Sequence, residues 1–229
     1  MTSEAFRILR AAGRVPAPWK NGGGVTREIA AAPGPAGDGF DWRVSLADVT
    51  EDGPFSAFPG VDRTLTVVEG AGMDLMVDGE HHIVDEPYWP HGFPGDVETG
   101  GRLLAGPVVN LNVMHRRDRV RAEVAVVRGT LRLAAPEGGA VLAVALEDGA
   151  VIDGTDTGLG RYDAVSLHGR ASCVLRTYGY AALITLSDTC PAAGGQPGTA
   201  PDGIRTGGPG QPPEESGQEL SGLRSSMNP

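Results

Sequence analysis

Through most of the first 190 positions apolar and polar residues alternate with a period of two, the signature of half-buried β-strands. DWRVSLADV (41–49) sets Trp42, Val44 and Leu46 on one face and Arg43, Ser45 and Ala47 on the other. RTLTVVEG (63–70) reads as a strand running into a glycine turn. GMDLMVDGE (72–80) alternates Met73, Leu75 and Val77 and ends in Asp78-Gly79, a strong hairpin signal. VVNLNVM (108–114) alternates again. Beyond Arg117 the same pattern returns in RAEVAVVRG, TLRLAA, AVLAVALEDG, DAVSLHG and SCVLRTYGYAALITL, with turns at Val127-Arg128-Gly129, Glu147-Asp148-Gly149 and Leu167-His168-Gly169. The only helical candidate covers residues 2–12. The pattern predicts an all-β, mainly antiparallel chain in two halves of similar turn spacing: a double jelly roll, a pair of sandwiches or a long barrel.

The pattern stops near residue 190. From Pro191 to Pro229 there is no aromatic residue, and 16 of 39 positions are Gly or Pro. Such a segment buries too little apolar surface to offset its ordering entropy, so it is expected to be disordered. The whole chain of 229 residues carries a formal net charge of −10, which argues against a nucleic-acid partner. The start, MTSEAFRILRAAGR, has no apolar run long enough for a signal peptide, and no stretch approaches the length of a membrane span, so the expected setting is cytoplasmic, without a membrane partner. Two cysteines, Cys173 and Cys190, do not make a disulfide framework.

The unusual chemistry lies in the first half. In APWKNGGGVTREIA (17–30), Trp19, Lys20 and Asn21 stand against three glycines beginning at Gly22. Glycines admit positive φ and let a ligand approach main-chain N–H groups, which can form an anion-binding nest. Lys20 adds a positive charge, Asn21 donors and acceptors, and Trp19 a wall or an anchor; a plain linker is the competing reading. In GPFSAFPGVDRTL (53–65), Phe55 and Phe58 flank Ser56 and Ala57. Arg63 then offers either a bidentate fork to a carboxylate or a surface pair with Asp62. Arg43 and Ser45 share a strand face, as do Asn110, Asn112 and Met114. These faces either line a barrel interior or meet solvent. His81 and His82 are adjacent and so point to opposite faces, and no H-x-H, H-E-x-x-H, G-x-S-x-G or dinucleotide fingerprint occurs. No metal and no cofactor is expected.

Taken together, PWKNGGGVTREI, WRVSLADV, DGPFSAFPGVDRTLTVVEG, FPGD (93–96) and GPVVNLNVM resemble the histidine-utilisation protein D (HutD/Ves) family of bacterial bicupins, over about residues 5–187. The resemblance implies two cupin-type antiparallel β-barrels, jelly-roll-like, in one chain: an N-terminal barrel at 1–115 holding a ligand pocket, a second at 116–190, and the tail at 191–229. It implies a pocket lined by Trp19, Lys20, Asn21, Gly22, Arg43, Ser45, Phe55, Ser56, Arg63 and Asn112. It places Thr26, Glu28, Asp62, Phe93, Asp96 and Met114 within the shared motifs. The family pattern runs Asp-Phe-Asn-x-Met where this chain has Asn110-Leu111-Asn112-Val113-Met114.

The expected function is non-catalytic binding of a small anionic metabolite, sensing or buffering an acidic, formylglutamate-like intermediate of histidine degradation. The alternative is a metal-independent isomerase or hydrolase of a small carboxylic acid, with Glu28 or Asp96 as general base. Open sheet edges leave a homodimer as a candidate assembly.

Overall fold

A computed structural model of the chain describes residues 6–34 and 39–189, all within one compact unit, Met1–Pro191. The tail expected to be disordered lies outside the described residues. Among those residues every regular element is a strand, so no helix is long and apolar enough to cross a membrane.

Seventeen strands among the described residues form three antiparallel sheets. The first is built from β2 (Ala17–Pro18), β3 (Gly24–Pro33), β4 (Phe40–Val49), β6 (Val61–Glu69), β9 (His91–Pro94) and β11 (Val108–Arg116), in the order β2-β3-β4-β11-β6-β9. Facing it is a four-stranded sheet of β5 (Gly53–Pro54), β10 (Thr99–Leu103), β7 (Met73–Val77) and β8 (Glu80–Val84). The third sheet holds β1 (Arg7–Leu9), β12 (Val120–Ala134), β13 (Ala140–Ala145), β14 (Ala150–Ile152), β15 (Gly158–Leu159), β16 (Ala164–His168) and β17 (Ser172–Asp188). The β7–β8 hairpin turns on Asp78 (φ 50°) and Gly79 (φ 81°), both left-handed as a two-residue hairpin loop of this kind requires.

The alternation sorts the side chains into three apolar groups. On β4 and β11, Trp42, Val44, Leu46, Leu111 and Val113 pack against Leu142, Val144, Ala182 and Ile184 of the third sheet, which joins the two halves face to face. Leu65, Val67, Met73, Leu75 and Phe93 fill part of the N-terminal interior. Val141, Ala143, Val165, Leu167 and Leu175 fill the C-terminal one.

The N-terminal segment corrects the helical expectation for residues 2–12. Arg7–Leu9 is a strand paired with Ala164–Ser166 of β16, and residues 1–5 lie outside the described part. Its two apolar residues explain the choice: Ile8 packs on the C-terminal interior and Leu9 on the inter-half core, opposite directions that a strand satisfies and one helix face does not.

The halves repeat one another down to single hydrogen bonds. Tyr88 N donates to Val67 O (2.9 Å), and Tyr162 N donates to Ala145 O (2.6 Å). Both tyrosines are left-handed, at φ 68° and 66°. Tyr88 then donates its hydroxyl to Glu147 Oε1 (3.2 Å), two residues beyond Ala145, and Tyr162 donates to Glu69, two beyond Val67. Each half therefore presents a tyrosine to the other half's glutamate.

Candidate functional site

The cavity begins with a row of residues set by strand register. Met114 on β11 pairs with Arg43 on one side and Arg63 on the other, and Arg63 pairs with Phe93 of β9. One step along, Asn112 pairs with Ser45 and Leu65, and Ser45 with Glu28 of β3. Period two turns both rows toward the same side, where Arg43, Arg63, Met114, Glu28, Ser45 and Asn112 line a cavity of about 650 Å³. Ser45, Asn112, Met114 and Arg63 form a buried floor, at 2%, 8%, 1% and 6% exposure. Lys20, Asn21, Glu28 and Ser56 are exposed around the rim. The polar faces of β4 and β11 therefore point inward.

Two arginines dominate the electrostatics. The Arg63 guanidinium lies over Phe55 (5.1 Å), Phe58 (5.7 Å) and Phe93 (5.0 Å). Arg43 lies over Phe40 (4.8 Å) and the same Phe58 (5.7 Å), and its Nη2 contacts Met114 Sδ at 3.2 Å. Ring faces attract a cation, each by about 0.5–2 kcal/mol. Neither arginine takes part in an ion pair among the described residues. Both Nε atoms are buried without a hydrogen-bond partner, and so is Asn112 Oδ1. Burial, and secondarily the charge of Arg43, pulls the Arg63 guanidinium down to about 10 from 12.5. Burial lowers Arg43 as well, opposed by the Glu28 carboxylate.

The glycine run does a different job from the one expected of it. Gly22 N donates to Trp19 O (3.0 Å), Trp19 N to Gly24 O (2.9 Å), and Gly23 N to Asn21 Oδ1 (3.2 Å). The amides of Gly22 and Gly23 are thus used inside the turn, and Gly22 does not line the cavity. A Cβ on Gly24 would stand 2.5 Å from Asp48 O and 3.1 Å from the Trp19 ring. Bare backbone is what lets the indole lie against β3. Trp19 then donates Nε1 to Thr26 Oγ1 (2.8 Å) and meets Phe55 edge-on at 6.4 Å, so it anchors the wall.

Nine of the ten residues expected at the site line this one cavity, all but Gly22. The Asp62–Arg63 surface pair does not form: Arg117 takes Asp62 (2.8 Å) and Asp96 (2.9 Å) instead. Hydrogen bonding from Arg117 holds the Asp96 carboxyl below its usual range, outside the cavity, which removes Asp96 as a general base there. Glu28 does line the cavity. The roles of Phe40 and Phe58 were not legible in sequence, because what matters is their stacking on arginines that register, not spacing, brings to them.

Two smaller depressions open elsewhere. On the outer face of the four-stranded sheet, nearly buried Asp74 accepts from Arg102 (3.0 Å) and contacts His81 Nδ1 (3.0 Å) beside a space of about 500 Å³. Near the β8 and β9 edges the rings of His82 and His91 stand 4.9 Å apart, beside one of about 370 Å³. Neither holds unpaired buried charge. No three His, Cys, Asp or Glu side chains converge to hold a metal among the described residues.

Comparison with known proteins agrees with the architecture. The HutD family profile matches residues 11–184. An uncharacterised 21.2 kDa protein of the hutC 3′ region of Pseudomonas putida is 41% identical over 128 residues, 56% of this chain and 67% of that protein. Protein Ves of Citrobacter koseri is 38% identical over 129 residues, 55% of this chain and 66% of that one. The solved structure of HutD from Pseudomonas fluorescens SBW25 (formate condition) superposes with a TM-score of 0.72 at 36% identity, covering 80% of this chain and 98% of that one. The fold is the all-β bicupin, and the chain belongs to the HutD family.

Proposed function

We propose that the chain binds a small acidic metabolite in its N-terminal cavity without converting it, and so senses or buffers an intermediate of histidine degradation. One observation carries the reading: two arginines, one of them 6% exposed, stand side by side without an ion-paired carboxylate among the described residues and with both Nε atoms unsatisfied. A buried, unpartnered guanidinium is costly unless something completes it, and a carboxylate does so bidentately. The orphan Asn112 Oδ1 on the same floor asks for a ligand N–H, which an N-acyl amino acid supplies beside its carboxylate. A formylglutamate-like compound meets both demands. The link to histidine degradation rests on family membership and on a relative named for its place beside hutC.

The test is calorimetry with N-formylglutamate and, for contrast, glutaramide, which has no charge. Saturable binding of the acid alone, weakened at least tenfold by Arg63→Met, is expected. Equal affinity in wild type and variant would reject the assignment. The enzymatic alternative retains Glu28, a rim carboxylate close enough to act on the Arg43 charge. New proton resonances on incubation with the acid, lost in Glu28→Gln, would favour it over simple binding.

A further inference from the structure

The chain has 19 basic Lys and Arg side chains, and only one of them is a lysine: Lys20, at the rim of the cationic cavity. Where this cavity needs fixed positive charge, at positions 43 and 63, it uses guanidinium. A guanidinium keeps its proton and offers no free nitrogen lone pair; a primary amine can lose its proton and attack a carbonyl. Lys20 takes part in no ion pair among the described residues. Its backbone is set by the hydrogen-bonded turn from Trp19 to Gly24, so the start of the side chain is fixed while its amine is uncommitted. Glu28, a carboxylate able to carry a proton, lines the same space.

We propose that Lys20 condenses reversibly with the carbonyl of a 2-oxo acid or an aldehyde acid whose carboxylate is held by Arg43 and Arg63. The inference rests on the acid-binding reading of the site and extends it to a second ligand class. The step balances without oxidant or reductant. The ammonium gives one proton to Glu28, and the freed nitrogen pair attacks the carbonyl carbon. The carbonyl oxygen takes up a proton from the attacking nitrogen to give a neutral carbinolamine. That C–O bond then breaks as the hydroxyl is protonated by Glu28 and leaves as water, and the nitrogen pair closes the C=N bond. An ammonium and a carbonyl become an iminium and one water, with charge conserved. Hydrolysis reverses every step, so the result is capture and release of the acid.

A lone lysine makes the experiment unambiguous. Full-length protein is mixed with glyoxylate or 2-oxoglutarate and sodium cyanoborohydride, which reduces an imine to a stable secondary amine, and the adduct is read by intact mass and peptide mapping. One saturable adduct on Lys20 is expected. It should disappear in Lys20→Arg, slow at least tenfold in Arg63→Met checked for folding by circular dichroism, and slow as much in wild type with excess glutarate, an acid that matches 2-oxoglutarate in charge but has no keto or aldehyde group. Adducts confined to the N-terminal amine would overturn the proposal. So would a Lys20 adduct that forms at the same rate with glutarate present, which is the behaviour of any exposed amine. Calorimetry separates the layers: glutarate that binds while Lys20 stays unmodified refutes the covalent step and leaves acid binding standing; glutarate and N-formylglutamate that both fail to bind refute the cavity's reading itself.

Discussion

Arg63 and Val141 occupy the same place in their respective halves. The repeated tyrosine bonds align Val67 with Ala145, and counting back along β6 and β13 sets Arg63 against Val141. Strand register extends the match: Met114 against Thr185, Asn112 against Leu183, Phe93 against Leu167, Arg43 against Glu123 and Ser45 against Ala125. One half sets two guanidiniums and an amide around its central row. The other puts Val141 and Leu167 into an apolar cluster, with Leu183 packed on it, and leaves the side chain of Glu123 66% exposed. The flanking strands account for the second difference. In the N-terminal half β2 and β3 continue the sheet past β4, whereas β12 pairs only with β17. A scaffold copied twice has thus kept one interior for packing and given the other over to charge. The charged interior is expected to be the less stable of the two by itself.

The largest expected effect comes from moving the charge across. Val141→Arg places a cation among Leu133, Ala143 and Leu167 with no buried ring to receive it and no ligand to neutralise it. A loss on the order of 4 kcal/mol or more in urea unfolding is expected, enough to unfold a marginal domain. A cost under about 1 kcal/mol would show that the C-terminal interior is not the dry counterpart described. The reverse change should go the other way. Keeping Arg63 charged at about 10 rather than 12.5 corresponds to a burial cost on the order of 3 kcal/mol, part of it returned by its three phenylalanine faces. Arg63→Met should therefore stabilise the ligand-free protein by about 1–2 kcal/mol while weakening acid binding, the trade expected of a functional site. Loss of stability in that variant would mean that the rings already satisfy the guanidinium.

These contrasts also show how much was legible beforehand. Period two was enough for the all-β class, for setting Trp42, Val44 and Leu46 together on one strand face, and for the Asp78-Gly79 hairpin, because each is a local consequence of strand geometry. The motif residues from Trp19 to Asn112 were legible as a set, yet the use of the glycines was not. Whether an amide faces a ligand or its own turn depends on φ and on Trp19 O, which sequence does not display. The choice for Arg63 between a ligand carboxylate and a surface pair with Asp62 had the same character: Arg117, 54 positions away, claims Asp62, while strand register turns Arg63 into the cavity. The helical reading of 2–12 failed because β16 offers residues 7–9 a partner that no local signal announces.

A smaller effect concerns what joins the halves. Tyr88 and Tyr162 hold left-handed backbone that non-glycine residues seldom adopt, and each donates to a glutamate of the other half. Burial first, and the accepting carboxylates next, raise both hydroxyls above their usual range, so both stay donors across the physiological pH span. A hydrogen bond to a charged acceptor contributes about 1.5–3 kcal/mol. Tyr162→Phe should cost about 2 kcal/mol and Tyr88→Phe, with the longer bond, about 1 kcal/mol, measured by urea unfolding. If the pair acts as one clasp, the double variant should cost measurably more or less than the two single costs together. Strict additivity would make them independent contacts that happen to mirror each other.

The smallest expected effect lies at the seam of the N-terminal half, where β8 and β9 are edge strands of different sheets. His91 corresponds by register to apolar Val165, so here too one half carries a titratable group where the other packs a methyl. Burial, and then the neighbouring His82, hold the His91 imidazole below 6.5, with Asp78, Glu80 and Phe93 lining the same depression. The sign follows from proton counting. Below about 6.5 the unfolded chain binds a proton that folded His91 still refuses, so stability falls as pH drops through that value and is unaffected above it. His91→Gln should leave the melting temperature unchanged at pH 7.5 and spare about 1 °C of the loss that wild type suffers by pH 5.5. Should wild type and variant lose stability in parallel, another group governs the acid limb, and His91 is as inert as the valine at the matching position.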